Sequence, residues 1–188
     1  MIKFLNYYKM KNTILLLFSI FIISCNNSNN TDTKIVNSAL QTEKDIKMYK
    51  KVWDTFLLEG DTSVVNEDNF TTDVIVVTAD GNIIGIEATK EHYLNYLNGF
   101  SEIEWDILDA FGQGEKLIKH WNFKGKHTGE FFGIPPTGNY LDLSGTTIVT
   151  MKDGKIAKEH DFFDMKSMLD QLMKSSGDVT IDEYQPIN

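Results

Sequence analysis

The sequence predicts an α+β domain in which helices come first and an antiparallel sheet follows. Apolar side chains recur every three or four residues over Ala39–Leu58 and Glu87–Leu97, which is the period of an amphipathic helix. After Phe100 the period falls to two, over two pairs of strands that each surround a glycine-containing turn. Helices that are segregated from an antiparallel sheet are typical of the α+β class.

The first predicted helix carries one apolar stripe, and Gly60 is placed to end the helix. The stripe consists of Ile46, Tyr49, Trp53, Phe56 and Leu57. A short second helix is predicted over Thr62–Asn66, and a strand over Val74–Thr78 before a turn at Asp80–Gly81.

Two hairpins make up the predicted sheet, and a loop rich in glycine and proline separates them. The predicted strands are Ile103–Phe111 with Glu115–Lys124, and Tyr140–Met151 with Lys155–Phe163. The loop covers Gly125–Gly138, and a short helix is predicted over Met165–Met173.

The first 24 residues have the pattern of a secretory signal: three lysines, no acidic residue, a short apolar run and then Ser24–Cys25. Met10 also begins a complete signal. The predicted domains are a lipoprotein signal peptide over 1–24, a disordered tether over 25–38, a folded domain over 39–174 and a polar tail over 175–188. An uncleaved anchor helix is the alternative interpretation of the signal.

Composition excludes several classes of function. The net charge is −9, so binding to nucleic acid is not expected. The chain has no phosphate loop and no histidine pair at metal-ligand spacing, so no metal site is predicted. Cys25 is the only cysteine, which leaves no second thiol for a disulfide.

The last strand offers candidate catalytic residues. Strict alternation from Ile156 puts Lys158, His160, Phe162 and Asp164 on one face. Asp164 has two interpretations: a desolvated carboxylate that acts as a general base, or a cap of the following helix.

Other polar and aromatic side chains also have two interpretations. His127 is either a pocket residue or an exposed loop histidine. The aromatic residues Trp53 and Tyr93 belong either to the core or to a ligand pocket. Lys119, with three other lysines nearby in sequence, is interpreted as part of a solvated strand face.

Several of these features, taken in order, resemble the SnoaL-like polyketide cyclases, also called ester cyclases, of the nuclear transport factor 2 superfamily. The resemblance rests on the string from His120 to Gly138, which includes His127–Thr128–Gly129 and Gly133–Ile134–Pro135–Pro136–Thr137–Gly138. It continues at Asp153–Ile156 and from Asp164 to Leu172.

The resemblance implies a cone-shaped fold, with N-terminal helices packed in a strongly curved, mainly antiparallel sheet. It also implies cofactor-free chemistry, with Asp164 handling a proton and His127 and His160 in the same pocket. Trp53, Tyr93, Trp121, Lys158 and Phe162 are the expected pocket residues. The chain departs from the family pattern at His120, Lys158 and His160, which bears on the substrate.

Three functions follow as expectations. One is a cyclase or isomerase that acts next to a carbonyl group, with Asp164 as the base and His127 or His160 orienting the carbonyl. The others are a non-catalytic binding protein for a small ligand and a protein-interaction module. The expected partners are a small apolar or carbonyl-containing molecule, a second copy of the chain through the sheet, and a membrane reached only through the lipid on Cys25. The expected location is the cell envelope.

Overall fold

The structure, a computed structural model, describes residues 26–174, and the side chains of 33–174. The predicted signal peptide, Cys25 and the predicted tail over 175–188 lie outside the described residues. The chain divides into two compact units, residues 1–40 and 41–188. Within the described part, no helix is both long and apolar enough to cross a membrane.

Helix α1 covers Asn26–Leu58 and is longer than the sequence predicts. The segment predicted as a disordered tether is therefore helical from Asn26 onward, and that prediction is wrong for this part of the chain. A helix that is already nucleated gains one hydrogen bond for each residue that is added to its end. The composition does predict the exposure correctly, because every side chain over 33–40 is exposed.

The remaining elements follow the predicted order, with one strand that the sequence analysis missed. They are the short 3₁₀ helix Thr62–Val64, β1 (Phe70–Thr78), β2 (Gly81–Ile84), α2 (Ile86–Gly99), β3 (Phe100–Gln113), β4 (Lys116–His127), β5 (Tyr140–Lys152), β6 (Lys155–Phe163) and α3 (Met165–Met173). The missed strand is β2, which pairs with β1 across the predicted turn at Asp80–Gly81.

The six strands form one mixed sheet in the order β2-β1-β6-β5-β4-β3. Every neighbouring pair is antiparallel except β1 with β6, which run parallel. The sheet has one face, here called the inner face, on which β4 and β5 bury alternate side chains. Aromatic residues of α1 and α2 pack against this face, including Tyr49, Trp53 and Tyr93.

Strand β6 contains a bulge that changes which residues face inward. Met151 of β5 pairs with Ile156, but the next residue, Thr150, pairs with Lys158, so Ala157 is the extra residue. Ile156 and Glu159 are both completely buried. Beyond the bulge, Glu159 and Asp161 belong to the inner face, and Lys158, His160 and Phe162 belong to the outer face. The prediction that Ile156 shares its face with Lys158, His160, Phe162 and Asp164 is therefore wrong.

Candidate active site

Three of the predicted site residues lie on the outer face of the sheet. Lys158 is exposed, Phe162 is 45% exposed, and His160 stacks on Phe162 with ring centroids 4.0 Å apart. The predicted placement of Lys158 and Phe162 in a pocket beside His160 is wrong, because the bulge reverses the alternation on which it rested.

Asp164 is exposed and caps helix α3. Its side chain accepts a hydrogen bond of 3.0 Å from the backbone N–H of Ser167. Of the two interpretations of this residue, the helix cap is confirmed. The apolar surroundings on which its role as a base depended are absent at this position, since Asp164 is at the surface.

His127 is fully buried at the end of β4, so the exposed-loop interpretation is wrong. Its Nδ1 lies 3.0 Å from the hydroxyl of Thr137, and its ring packs against Phe100 and Phe131. Burial lowers the pKa of this imidazole, and a backbone hydrogen bond at Gly129 acts weakly against that. A catalytic role for His127 stays a prediction.

Two carboxylates meet on the inner face of β6. The hydroxyl of Tyr93, from α2, lies 3.3 Å from Oε2 of Glu159 and 3.2 Å from Oδ2 of Asp161. The hydroxyl of Tyr49, from α1, donates to Oε1 of Glu159. Glu159 is completely buried and Asp161 is partly exposed, so Asp161 is the member of the pair that a small molecule reaches first.

A second chain of hydrogen bonds orients Asp161 from the opposite side. The indole Nε1–H of Trp121 donates to Oγ1 of Thr147 over 3.0 Å, and the Thr147 hydroxyl donates to Oδ1 of Asp161. Gly145 allows this arrangement, because a Cβ there would lie 2.3 Å from the Trp121 ring. Trp121, predicted as a pocket residue, is thus buried and acts through Thr147 on the carboxylate.

Lys119 brings a buried amine to the same cluster. It is 5% exposed on the inner face of β4, and its Nζ lies 5.0 Å from the ring centroids of Tyr49, Trp53 and Trp105. The prediction that Lys119 belongs to a solvated face is therefore wrong. The other predicted pocket residues, Trp53 and Tyr93, are buried in contact with each other, with centroids 4.4 Å apart.

The electrostatics of the cluster follow from its burial. Burial raises the pKa of Glu159 to about 7; Lys119 opposes this rise and the neighbouring Asp161 adds to it. Burial also raises the pKa of Tyr49 and Tyr93 well above the usual range, so both hydroxyls keep their protons and remain donors. A carboxyl group with a pKa near neutral can both accept and return a proton.

The sequence contained one signal that points to this cluster. On β4 the odd-numbered positions 117, 121 and 123 are apolar, the positions between them are polar except for Ile118, and Lys119 falls in the apolar frame. A lysine in the apolar frame of a strand is a buried amine, which needs a compensating acid. Glu159 and Asp161 gave no such signal, because the bulge at Ala157 precedes them. Among the described residues, no group of three or more acidic, histidine or cysteine side chains is arranged to hold a metal ion.

Comparison with known proteins places these features in context. A family model described as SnoaL-like polyketide cyclase matches residues 46–172. No curated protein matches the chain.

Solved structures show the same fold. A protein from Jannaschia sp. CCS1, described as SnoaL-like polyketide cyclase, superposes with a TM-score of 0.66 at 18% identity, over 71% of this chain and 94% of its own. TsrD from Streptomyces laurentii gives a TM-score of 0.62 at 19% identity, over 68% and 94%. TerC, co-crystallised with polyporic acid, gives 0.56 at 16% identity, over 69% and 98%. These structures confirm the predicted cone-shaped α+β fold of the nuclear transport factor 2 superfamily.

Proposed function

Because the chain belongs to the SnoaL-like polyketide cyclase family, we propose that it is a cofactor-independent enzyme that moves a proton at a carbon next to a carbonyl group, with Asp161 as its general base. Membership of the family supports a cyclase or an isomerase. The choice of Asp161 replaces the sequence-based prediction of Asp164, which caps a helix at the surface.

The sharing of one hydroxyl by two carboxylates carries this proposal. Tyr93 can donate its single proton to Glu159 or to Asp161, but not to both at once. Two carboxylates this close do not both ionise easily, so one of them retains a proton near neutral pH. The buried Glu159 is that member, since its pKa is about 7. Asp161, which accepts hydrogen bonds from Thr147 and Tyr93, is then the carboxyl group that acts as the base.

The proposed reaction uses these groups in a fixed order. Asp161 takes the proton from the carbon next to the carbonyl, which leaves an enolate. In a cyclase the enolate carbon attacks a second carbonyl of the same molecule; in an isomerase it is reprotonated at another carbon. Glu159 supplies the proton that the product oxygen or carbon takes up, and Tyr93 connects the two carboxyl groups.

An aromatic environment supports a flat, largely apolar substrate. Tyr93, which contacts Asp161, lies in a tilted arrangement 6.3 Å from the ring of Tyr96, and Tyr96 makes edge-on contacts with Phe131 and Phe132 at 5.1 and 6.1 Å. The co-crystal of TerC with polyporic acid supports a small organic ligand for this fold. A protein that binds such a ligand without turning it over is the second candidate, favoured by the same aromatic contacts.

Solvent deuterium exchange tests the proposed function and separates it from simple binding. We expect the purified chain in D₂O to exchange the protons next to the carbonyl of 1-tetralone, a bicyclic aromatic ketone, followed by NMR. Asp161→Asn keeps the volume of the side chain but removes the base, so the exchange rate falls about 10²–10⁴-fold. Asp164→Asn, the same change at the exposed cap, keeps the full rate. Binding of the ketone without any catalysed exchange contradicts the proposal.

Anchoring in the cell envelope is a separate part of the proposal. It is supported by the basic start, the apolar run and the Ser24–Cys25 junction of the sequence. The thiol of Cys25 is acylated, and the lipid holds the domain at a membrane. Cys25→Ser abolishes incorporation of a labelled fatty acid in the producing cell, and equal labelling of this variant contradicts the anchor.

A further inference from the structure

We propose that Lys119 is a nucleophile that captures the carbonyl carbon of the substrate as an iminium ion, so that the chain catalyses reactions of aldehydes and ketones through a covalent amine adduct. This inference rests on the proposed function, because it assigns a second role at the same site. It names the substrate class as an aldehyde or ketone whose carbonyl carbon is open to attack.

The position of Lys119 in the sheet places it in line with Asp161. Lys119 pairs with Thr147 on β5, and Thr147 pairs with Asp161 on β6, so the three residues form one row across the inner face. Neighbouring strands are about 4.8 Å apart, which puts the backbones of Lys119 and Asp161 about 10 Å from each other. Lys119 and Asp161 therefore project from the same face two strands apart, close enough for one small carbonyl compound to contact both side chains.

The surroundings of the amine are the second argument. Its Nζ is enclosed by the rings of Tyr49, Trp53 and Trp105, each 5.0 Å away. Aromatic walls keep water from an iminium ion, which water otherwise hydrolyses. A lysine placed in an apolar pocket is also the usual arrangement of an amine that forms Schiff bases.

The protonation states agree with this role. Burial lowers the pKa of Lys119, although the carboxylates of Glu159, Asp161 and Asp54 act against that. Burial raises the pKa of Glu159 at the same time. A poorly solvated amine and acid are both favoured in their neutral forms. The raised pKa lets Glu159 retain a proton, and the lowered pKa increases the share of Lys119 whose lone pair can attack.

The covalent step balances without any other reactant. The Nζ lone pair forms a bond to the carbonyl carbon, and the oxygen leaves as water after taking up one proton from the amine and one from Glu159. The product is an iminium ion and an ionised Glu159. Asp161 then removes the proton from the adjacent carbon, and the bonding electrons move to give a neutral enamine. The enamine carbon is the nucleophile for ring closure, and water later releases Lys119.

Reductive trapping tests this inference on the full chain. Benzaldehyde with sodium cyanoborohydride converts an iminium ion into a stable secondary amine, which peptide mass spectrometry locates. A lowered pKa increases the fraction of the amine that is unprotonated, so we expect Lys119 to be labelled faster than exposed lysines. Lys126, exposed on the same strand, is the internal comparison.

Matched variants complete the experiment. Lys119→Met has an unbranched side chain of similar length but no amine, so we expect it to lose the fast label. We expect Lys126→Met to retain the fast label at Lys119. Lys119→Arg is the second variant if the methionine protein does not fold, since a guanidinium keeps the charge but forms no iminium ion. Labelling of Lys119 no faster than Lys126 in the native chain overturns the inference.

The deuterium exchange of 1-tetralone distinguishes this failure from failure of the proposed function. Exchange without trapping at Lys119 means that the enzyme uses an enolate and that Lys119 acts only as a buried charge, which overturns the inference and leaves the proposed function intact. Trapping at Lys119 without exchange supports the covalent capture and contradicts proton transfer by Asp161.

Discussion

The inner and outer faces of β6 both carry ionisable side chains, but only on the inner face does protein replace water around them. Glu159 and Asp161 receive hydrogen bonds from Tyr49, Tyr93 and Thr147. On the outer face, Lys158 is exposed and His160 stacks on Phe162. The difference between a reactive group and a surface charge on this strand is therefore its orientation, and a single bulge determines that orientation.

The pH dependence of stability is the largest effect expected from the inner face. The pKa of Glu159 is about 7 in the folded chain and 4.5 in its ordinary state. Between these values the folded chain holds a proton that the unfolded chain does not, so the free energy of unfolding decreases as the pH rises from about 4.5 to about 7. The contribution is on the order of 3 kcal/mol at 1.36 kcal/mol per pKa unit.

Chemical denaturation at a series of pH values measures this effect. Glu159→Gln cannot titrate, so the decrease attributed to Glu159 disappears in that variant. Glu115→Gln, a change at an exposed glutamate in the β3–β4 turn, keeps the decrease. If the two variants show the same pH profile, the inner face does not desolvate Glu159.

The hydroxyl of Thr147 offers a smaller effect on stability. Thr147→Val keeps the shape but leaves the Trp121 indole and one Asp161 oxygen without their shared partner. A buried polar group without a partner costs about 1–3 kcal/mol, and we expect a loss of unfolding free energy in this range. Thr146→Val, on the outer face of the same strand, is the matched control and changes stability by less than about 0.5 kcal/mol. Equal losses at the two positions contradict the network.

The outer face permits a test of the expected homodimer, which stays a proposal. Phe111, Ile118, Ile148 and His160 form one row of paired positions across four strands. Phe111 and Ile148 are 56% and 42% exposed, so the row presents apolar surface. If this face forms the dimer, Ile148→Lys weakens association at least about tenfold in analytical ultracentrifugation.

A change at the far edge of the sheet is the control for that measurement. Ile84→Lys replaces an isoleucine that is 62% exposed on the edge strand β2. This variant keeps the native association, because the edge lies outside the apolar row. A native chain that sediments as a monomer contradicts the dimer.

The smallest effect is expected at Asp164, which is exposed and caps helix α3 outside the inner-face cluster. Asparagine caps a helix nearly as well as aspartate, so Asp164→Asn shifts the melting midpoint by less than about 2 °C. The exchange rate of 1-tetralone also stays unchanged. A large loss of exchange in a variant that still melts normally returns the catalytic role to Asp164 and removes the argument for the inner face.

The periodicity of the sequence predicted most helices and strands correctly, but it assigned the side chains of β6 to the wrong faces of the sheet. The aromatic stripe of α1 keeps its helical period, and the pairing of β4 with β5 contains no register shift, so the alternation of these two strands stays in frame. On β6 the predicted faces were counted from Ile156. The register shift between Ile156 and Lys158 moves every later side chain to the opposite face. Ala157 is a residue that fits any strand position, so its identity does not reveal the bulge. The site could therefore not be located from alternation alone.

Long-range pairing explains what else the sequence could not provide. Tyr49 and Tyr93 look like core residues from their helical spacing, and they are buried as predicted. Their hydroxyl partners lie on a strand that is distant in sequence, and no local pattern connects them. The cluster is therefore a property of the tertiary fold, whereas the family match is carried by local strings such as Gly133–Gly138.

The long sequence separations between the hydrogen-bond partners of Glu159 also affect how the chain folds. Tyr49 and its partner Glu159 are separated by 110 residues, and Tyr93 by 66. Closing such distances is slow, because chain entropy is lost before the contacts form. On a ribosome the helices emerge well before β6, so the hydroxyls of Tyr49 and Tyr93 lack their partners until the last strand has been made. The same strand that supplies the acids thus also completes the sheet, and a chain truncated before it exposes apolar surface that invites aggregation.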